Sequence, residues 1–210
     1  MAKARAPRKA TVGVAEHGNS ASLVTIGPLH ELLDRRDVDL THGLPTHPYH
    51  HEGSWAVGRY ADSPWARKIS LPDAVALVER VREAAALGAR ENLEKLASAV
   101  TMEIESIAIR VCPPVPATTV ERIKDTRAAN VADSVMYREA LAAAAKARGW
   151  SVHWYDREQV FVQAAAALGG NDVDEFLAAM GKAAGRPWQA RHKLATAAAL
   201  AAQAPQRRSR

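Results

Sequence analysis

The sequence predicts an α/β protein in which a mixed β-sheet is flanked by helices and the C-terminal half is rich in helix. Short β-branched runs separated by turn signals fill the first 30 residues, and another alternating run lies near residue 107. Most of the chain after residue 70 has helical composition, with capping residues at the expected starts. Because 210 residues suffice for one sizeable core, we predict a single domain over 11–203, between disordered basic tails at 1–10 and 204–210.

The first two strands are predicted within ATVGVAEHGNSASLVTIG, residues 10–27. Strand-forming residues dominate both ends of this stretch, and the sequence His-Gly-Asn-Ser between them favours a turn, so the two runs should form a hairpin. Residues 28–70 are rich in Pro, Gly, His and Asp. We expect most of this region to be a loop, with room for a third short strand.

A long helix is predicted from Ser70 to about Val100. Ser70 and Asp73 have capping-box spacing, and Pro72 suits the first turn of a helix. The stretch ESIAIRVCPPVP then alternates apolar and other residues before two prolines, which is typical of a strand that ends there.

More helices and one further strand make up the rest of the chain. Thr118 and Glu121 have capping-box spacing and begin helical sequence that ends near residue 149, where the strand WSVHWY follows. Two consecutive strands joined through a helix imply a right-handed parallel crossover, and hence a mixed sheet. Three final helices are predicted after Asp156, Asp172 and Pro187.

The positive charge of the chain is concentrated at its two ends. The sequence has 28 Lys and Arg against 23 Asp and Glu, a net charge of +5. Without the seven cations of the two tails the body has a charge of −2, so the tails should supply a diffuse, salt-sensitive attraction for polyanions. These seven are Lys3, Arg5, Arg8, Lys9, Arg207, Arg208 and Arg210.

A single cysteine and the hydropathy pattern limit the classes of protein further. Cys112 cannot form an internal disulfide and leaves no thiolate pair for zinc, which favours a reducing compartment. No apolar run approaches the ~20 residues needed to cross a bilayer. We therefore expect a soluble cytoplasmic protein without a membrane partner.

Three segments resemble the RNase H-like superfamily and, within it, the RuvC-like Holliday-junction resolvases. TVGVAEHGNSASLVTIG resembles the first hairpin of that family, ESIAIRV its fourth strand, and ARHKLATAAALA its last helix. The resemblance implies a metal-dependent nuclease that acts on DNA or RNA. Its carboxylates hold two Mg²⁺ or Mn²⁺ ions roughly 4 Å apart at the phosphodiester, and hard oxygen ligands make Zn²⁺ the weaker expectation.

The resemblance also implies which residues carry the catalysis. Glu16 stands on the first strand where the family has Asp, and His192 matches a histidine variant of the ligand on the last helix. On the fourth strand the family has an acid where this chain has Arg110, so Glu105, or Glu103 beside it, is the substitute.

A histidine-rich stretch, THGLPTHPYHHEGSW, is a second candidate site. Imidazole is a common ligand of zinc and manganese, and His47, His50, His51 and Glu52 lie within reach of one ion on a bent loop. Prolines within the stretch exclude the helical HExxH arrangement. The alternative is a solvated or substrate-facing loop without metal.

Basic residues around position 130 are candidates for contacts with nucleic acid. Lys124, Arg127 and Arg138 could bind phosphates, or could form i,i+3 and i,i+4 ion pairs on a solvated helix face. Three functions therefore remain open. They are an RNase H-like nuclease or degenerate nucleic-acid binder, a small metal-dependent enzyme using the histidine stretch, and a non-catalytic module of a homo-oligomer or larger assembly.

Overall fold

A computed structural model describes residues 9–50 and 69–204. In these two ranges five strands form one sheet, in the order β3-β2-β1-β4-β5. The strands are β1 (Ala10–His17), β2 (Ser20–Ile26), β3 (Leu32–Asp39), β4 (Ile104–Arg110) and β5 (Ser151–Tyr155).

Helices fill most of the described chain after β3. The longest one follows the histidine stretch and the others surround β4 and β5 in sequence. They are α1 (Leu71–Ala99), α2 (Thr119–Lys124), α3 (Thr126–Ala147), α4 (Val160–Ala167), α5 (Val173–Ala184) and α6 (Ala190–Gln203).

The sheet is mixed, as the sequence predicts. β1, β2 and β3 are antiparallel neighbours, whereas β4 pairs in parallel with β1 and β5 in parallel with β4. β4 and β5 are joined through α2 and α3, which is the predicted crossover. The predicted α/β class, with a mixed sheet flanked by helices, is therefore confirmed, and the third strand lies within the region predicted to be mostly loop.

The two faces of β1 carry different kinds of side chain. Val12 and Val14 of β1 pack with α1 and α3 in one core cluster. On the opposite face, Ala15 packs with the alanine-rich helix α6. A Cβ atom on Gly13 would overlap the carbonyl oxygen of Ala195, so α6 lies directly against the backbone of β1. Alternation along β1 thus directs its two valines towards one face of the sheet and its glycine and Ala15 towards the other.

Capping residues start the helices largely where the sequence indicates. Ser70 accepts a hydrogen bond from the backbone of Asp73, and Thr118 forms a reciprocal capping box with Glu121. The predicted single helix after Thr118 is instead two helices, because the carboxylate of Asp125 accepts hydrogen bonds from the backbone N–H groups of Arg127 and Ala128 and begins α3.

The first strand begins at Ala10, inside the range predicted as a tail. Ala10 is fully buried, and Lys9 beside it forms a 2.8 Å ion pair with Glu103. Residues 1–8 and 205–210 of the predicted tails lie outside the described residues, as do His51 and Glu52. No helix in the described ranges is long and apolar enough to cross a bilayer.

Candidate functional site

The carboxyl end of β1 holds a buried ion pair between Glu16 and Arg138. The guanidinium Nε of Arg138, on α3, donates to Glu16 Oε2 at 2.8 Å, and its Nη1 donates to the carbonyl oxygen of Val111 at 2.9 Å. Only 5% and 6% of the two side chains is exposed. Both charges are thus withdrawn from solvent and depend on each other, because a buried charge without a partner is strongly destabilising.

A cleft of about 420 Å³ lies beside this pair, at the carboxyl ends of the parallel strands β4 and β5. Burial raises the pKa of the Cys112 thiol in its wall, although Arg138 opposes the shift, so this group is protonated at neutral pH. Burial also raises the pKa of Tyr155 to about 12, and its hydroxyl donates to the Val14 carbonyl oxygen at 2.8 Å. Neither group is an activated nucleophile.

The histidine stretch packs against α3 near the same end of the sheet. Asp133, whose side chain is buried, accepts hydrogen bonds from the backbone N–H groups of Tyr49 at 3.0 Å and His50 at 3.4 Å. The Nδ1 atom of His47 lies 3.5 Å from the same carboxylate. The hydroxyl of Tyr137 donates to the Thr46 carbonyl oxygen at 2.8 Å. Two side chains of α3 therefore fix the position of residues 46–50.

Two of the four predicted metal ligands are within the described ranges. His47 is directed at Asp133, and the backbone of His50 binds the same carboxylate. His51 and Glu52 lie outside those ranges. Within 9–50 and 69–204, no three His, Cys, Asp or Glu side chains are grouped closely enough to hold an ion. The four-ligand site stays a prediction.

His192 lies on the opposite face of the sheet from Glu16. Its Nδ1 accepts a hydrogen bond from the backbone of Gln189 at 3.0 Å, so in the neutral ring the proton is on Nε2, 3.5 Å from Asp37. Burial lowers the pKa of His192, and the charge of Asp37 opposes that shift. The ring also stacks on Trp188, with 5.8 Å between centroids. These contacts assign His192 a role in joining α6 to β3.

The three predicted catalytic residues do not converge. Glu16 faces α3 at the carboxyl end of β1, whereas His192 belongs to α6 on the other face. Glu105 lies near the start of β4 and has no pairing partner on β1, because Ala10 pairs with Ile104 and Thr11 with Ser106. At ~3.3 Å per residue it lies about 17 Å along the strand from Glu16, far beyond the separation in a two-metal site.

The three predicted phosphate-binding residues also separate into two groups. Lys124 and Arg127 are exposed around the start of α3, and neither forms a salt bridge within the described ranges. Arg138 differs from them, because its Nε and Nη1 groups donate to Glu16 and to the main chain inside the protein. Its contact with phosphate stays a prediction.

A further basic region, between α5 and α6, was not predicted. Lys182, Arg186, Trp188 and Lys193 border a cleft of about 750 Å³ there. The signal was in the sequence, since residues 176–210 contain seven Lys and Arg and no Asp or Glu. Four of these seven cations belong to the folded part of the chain and not to the C-terminal tail.

Comparison with known proteins gives similarity in fold only. No protein-family model matches the sequence, and no curated protein matches it. Two similar solved structures are RuvC of T. thermophilus in complex with a Holliday junction substrate and a Thermus thermophilus RuvC structure. The first has 15% identity, covers 92% of this chain and 91% of that chain, and has a TM-score of 0.48. The second has 14% identity, covers 91% and 92%, and has a TM-score of 0.42. At this level of identity and TM-score, the similarity does not transfer residue roles to this chain.

Proposed function

We propose that this chain is an RNase H-like protein that binds nucleic acid and does not cleave it through its first-strand carboxylate. The observation that carries the proposal is the ion pair of Glu16 with Arg138. The sequence resemblance assigns Glu16 to a divalent cation, but the Oε2 atom of this carboxylate already accepts a hydrogen bond from a buried guanidinium. Metal binding there would require the two positive charges to be close together in a region of low dielectric.

The surroundings of Glu16 are also unsuitable for Mg²⁺ or Mn²⁺. Arg110 stands at the position of the family's fourth-strand acid and borders the same cleft as Arg138. A two-metal site needs several oxygen ligands around ions that are roughly 4 Å apart. Glu105 and His192 are too distant to complete that set, so the residues present do not fit the implied metals and we derive no cleavage step through them.

Charge distribution supports the nucleic-acid part of the proposal. The acid-free segment 176–210 and the basic residues near the N-terminus provide positive charge over both ends of the chain. Contacts between Lys or Arg and phosphates supply most of the affinity in sequence-independent binding, because they release condensed counterions. The proposal therefore predicts binding that is strongly salt-dependent and weakly dependent on sequence.

Binding and cleavage assays on the same substrates test both parts. Fluorescein-labelled four-way junctions, duplexes and single strands of DNA and RNA are incubated with the full chain in Mg²⁺ or Mn²⁺. We expect a rise in anisotropy without cleavage products on gels. Metal-dependent cleavage that is abolished by Glu16→Gln would contradict the absence of catalysis. Failure to bind every substrate at low salt would reject nucleic acid as the partner and favour a module of a protein assembly.

A further inference from the structure

The connection between α5 and α6 forms a cleft with positive charge on several sides. Lys182 in the last turn of α5, Arg186 in the connection and Lys193 in α6 all border it, together with Trp188 and Gln189. None of the residues that line it is acidic. Lys182 and Arg186 are exposed and Lys193 is partly so. Three cations from consecutive elements thus surround a volume of about 750 Å³.

These three cations have no ion-pair or hydrogen-bond partner within residues 9–50 and 69–204. No salt bridge or side-chain hydrogen bond in those ranges involves Lys182, Arg186 or Lys193. Two other arginines hold this region together instead. Arg35 donates to the carbonyl oxygens of Gly185 at 3.0 Å and Pro187 at 2.7 Å, and Arg191 pairs with Asp37 at 2.7 Å.

Trp188 gives the cleft a fixed shape. A Cβ atom on Gly181 would overlap the indole, so the ring lies directly on the backbone of α5. The same ring stacks on His192 of α6, and the guanidinium of Arg35 lies 5.8 Å from its centroid. Because the indole is packed between the two helices, it holds the connection rather than offering a surface for stacking of bases. A preformed site has less ordering entropy to lose on binding.

We propose that this cleft binds the phosphodiester backbone of nucleic acid. This inference rests on the proposed function and adds the site at which the partner is held. Lys and Arg side chains recognise phosphate oxygens through charge-assisted hydrogen bonds, and such contacts position a nucleic acid without reading its sequence. The cleft contains the charge and the donors for this, and no acid that would repel a phosphate.

A charge-neutralising triple variant tests the site against a matched control. The cleft variant is Lys182→Gln, Arg186→Gln, Lys193→Gln. The control variant is Arg80→Gln, Arg90→Gln, Lys95→Gln, which removes the same charge from exposed positions of α1. Anisotropy titrations of a fluorescein-labelled single strand, duplex and four-way junction are run at several salt concentrations, with circular dichroism to verify folding of each variant.

The cleft variant should lose about tenfold in affinity near physiological salt, and the slope of log K against log salt should become shallower by about 2 to 3. The control variant should change both quantities much less. Equal losses in the two variants, or none in the cleft variant, would overturn the inference while the unmodified chain still binds. Absence of binding by the unmodified chain would instead reject the proposed function.

Labelled poly-glutamate distinguishes nucleic acid from an acidic protein partner. We expect it to bind the unmodified chain more weakly than an oligonucleotide of similar charge, because the carboxylates lack the geometry of the phosphodiester backbone. Tighter binding of poly-glutamate that is lost in the cleft variant alone would assign the cleft to acidic proteins and overturn the inference.

Discussion

Positive charge serves opposite purposes in two regions of this molecule. Beside β1, Arg138 is buried and all of its described contacts are to Glu16 and the main chain. Between α5 and α6, Lys182 and Arg186 are exposed and border a cleft without acids. Arg138, which the sequence offers as a phosphate contact, therefore holds the fold together. Lys182 and Arg186, which no sequence motif marks, are available to bind a ligand. Burial and pairing distinguish the two, and the variants below test that distinction.

The largest effect is expected from removal of the buried cation. Arg138→Ala leaves the Glu16 carboxylate buried without its partner, and should lower the free energy of unfolding by about 3–5 kcal/mol. Urea denaturation followed by circular dichroism measures this, with Lys182→Ala as the exposed control at under about 0.5 kcal/mol. Adding Glu16→Gln to Arg138→Ala should recover part of the loss. A cost below about 1 kcal/mol for Arg138→Ala would show that the pair is open to solvent.

A smaller loss is expected where a buried anion holds backbone groups. Asp133→Ala removes the acceptor for the N–H groups of Tyr49 and His50, and should cost about 2–3 kcal/mol of the free energy of unfolding. Asp133→Asn keeps one carbonyl acceptor and should cost less. Limited proteolysis should then cleave first within residues 40–70. An unchanged cleavage pattern would mean that other contacts hold the histidine stretch.

Gly181 tests whether the basic cleft depends on its packed indole. A methyl group there overlaps Trp188, so Gly181→Ala should cost about 1–2 kcal/mol, although alanine is the better helix former. The cost should disappear in a Trp188→Leu background, because the two positions are in contact and their effects are coupled. Nucleic-acid affinity should fall in the single variant. Additive effects of the two substitutions would contradict the packing described.

A modest pH dependence is expected from His192. Burial places its folded pKa below the unfolded value of about 6.5, so the stabilising neutral form is fully present above that value. Stability should therefore decrease as pH falls from about 6.5 through the folded pKa. His192→Gln should flatten this decrease in urea unfolding between pH 7 and 5. An identical pH profile in the variant would assign the acid sensitivity to other groups.

Metal binding by the histidine stretch can be tested without a change to the residues of the sheet. Elemental analysis of the purified chain after exposure to Mn²⁺ or Zn²⁺ measures metal content. Occupancy that falls below pH ~6.5, and is lost in His47→Ala and His51→Ala, would establish the ligand set predicted from the sequence. If the chain contains no metal, the four-ligand prediction is rejected. The contacts of residues 47–50 with Asp133 then remain as the structural role of this stretch.

Sequence alone predicted the features that depend on neighbouring residues. Alternation revealed the strands, and Ser70, Thr118 and Asp172 were legible as helix starts because a cap binds backbone groups two or three residues away. The break at Asp125 was missed because helical composition continues through it.

The candidate site could not be predicted to the same extent, because its contacts join distant parts of the chain. Glu16 and Arg138 are 122 positions apart, and nothing near either one indicates the pairing. Glu105 lies at the start of β4 and Glu16 near the end of β1, and their separation depends on the register of two strands that are distant in sequence. Three cations around one cleft become visible as a group only when α5 and α6 are placed side by side.

The contact of Gly13 with Ala195 limits how this protein can change. Along that seam the side chains are already those of glycine and alanine, so truncation can remove at most one methyl group at a position. Nearly every replacement adds volume and forces α6 away from β1. Positions along this seam should therefore tolerate few substitutions by larger residues. A saturation library should show that even a conservative hydrophobic exchange, such as alanine to valine, is destabilising there. Val12 and Val14, on the opposite face of β1, can be replaced by both larger and smaller side chains, and should accumulate variation faster.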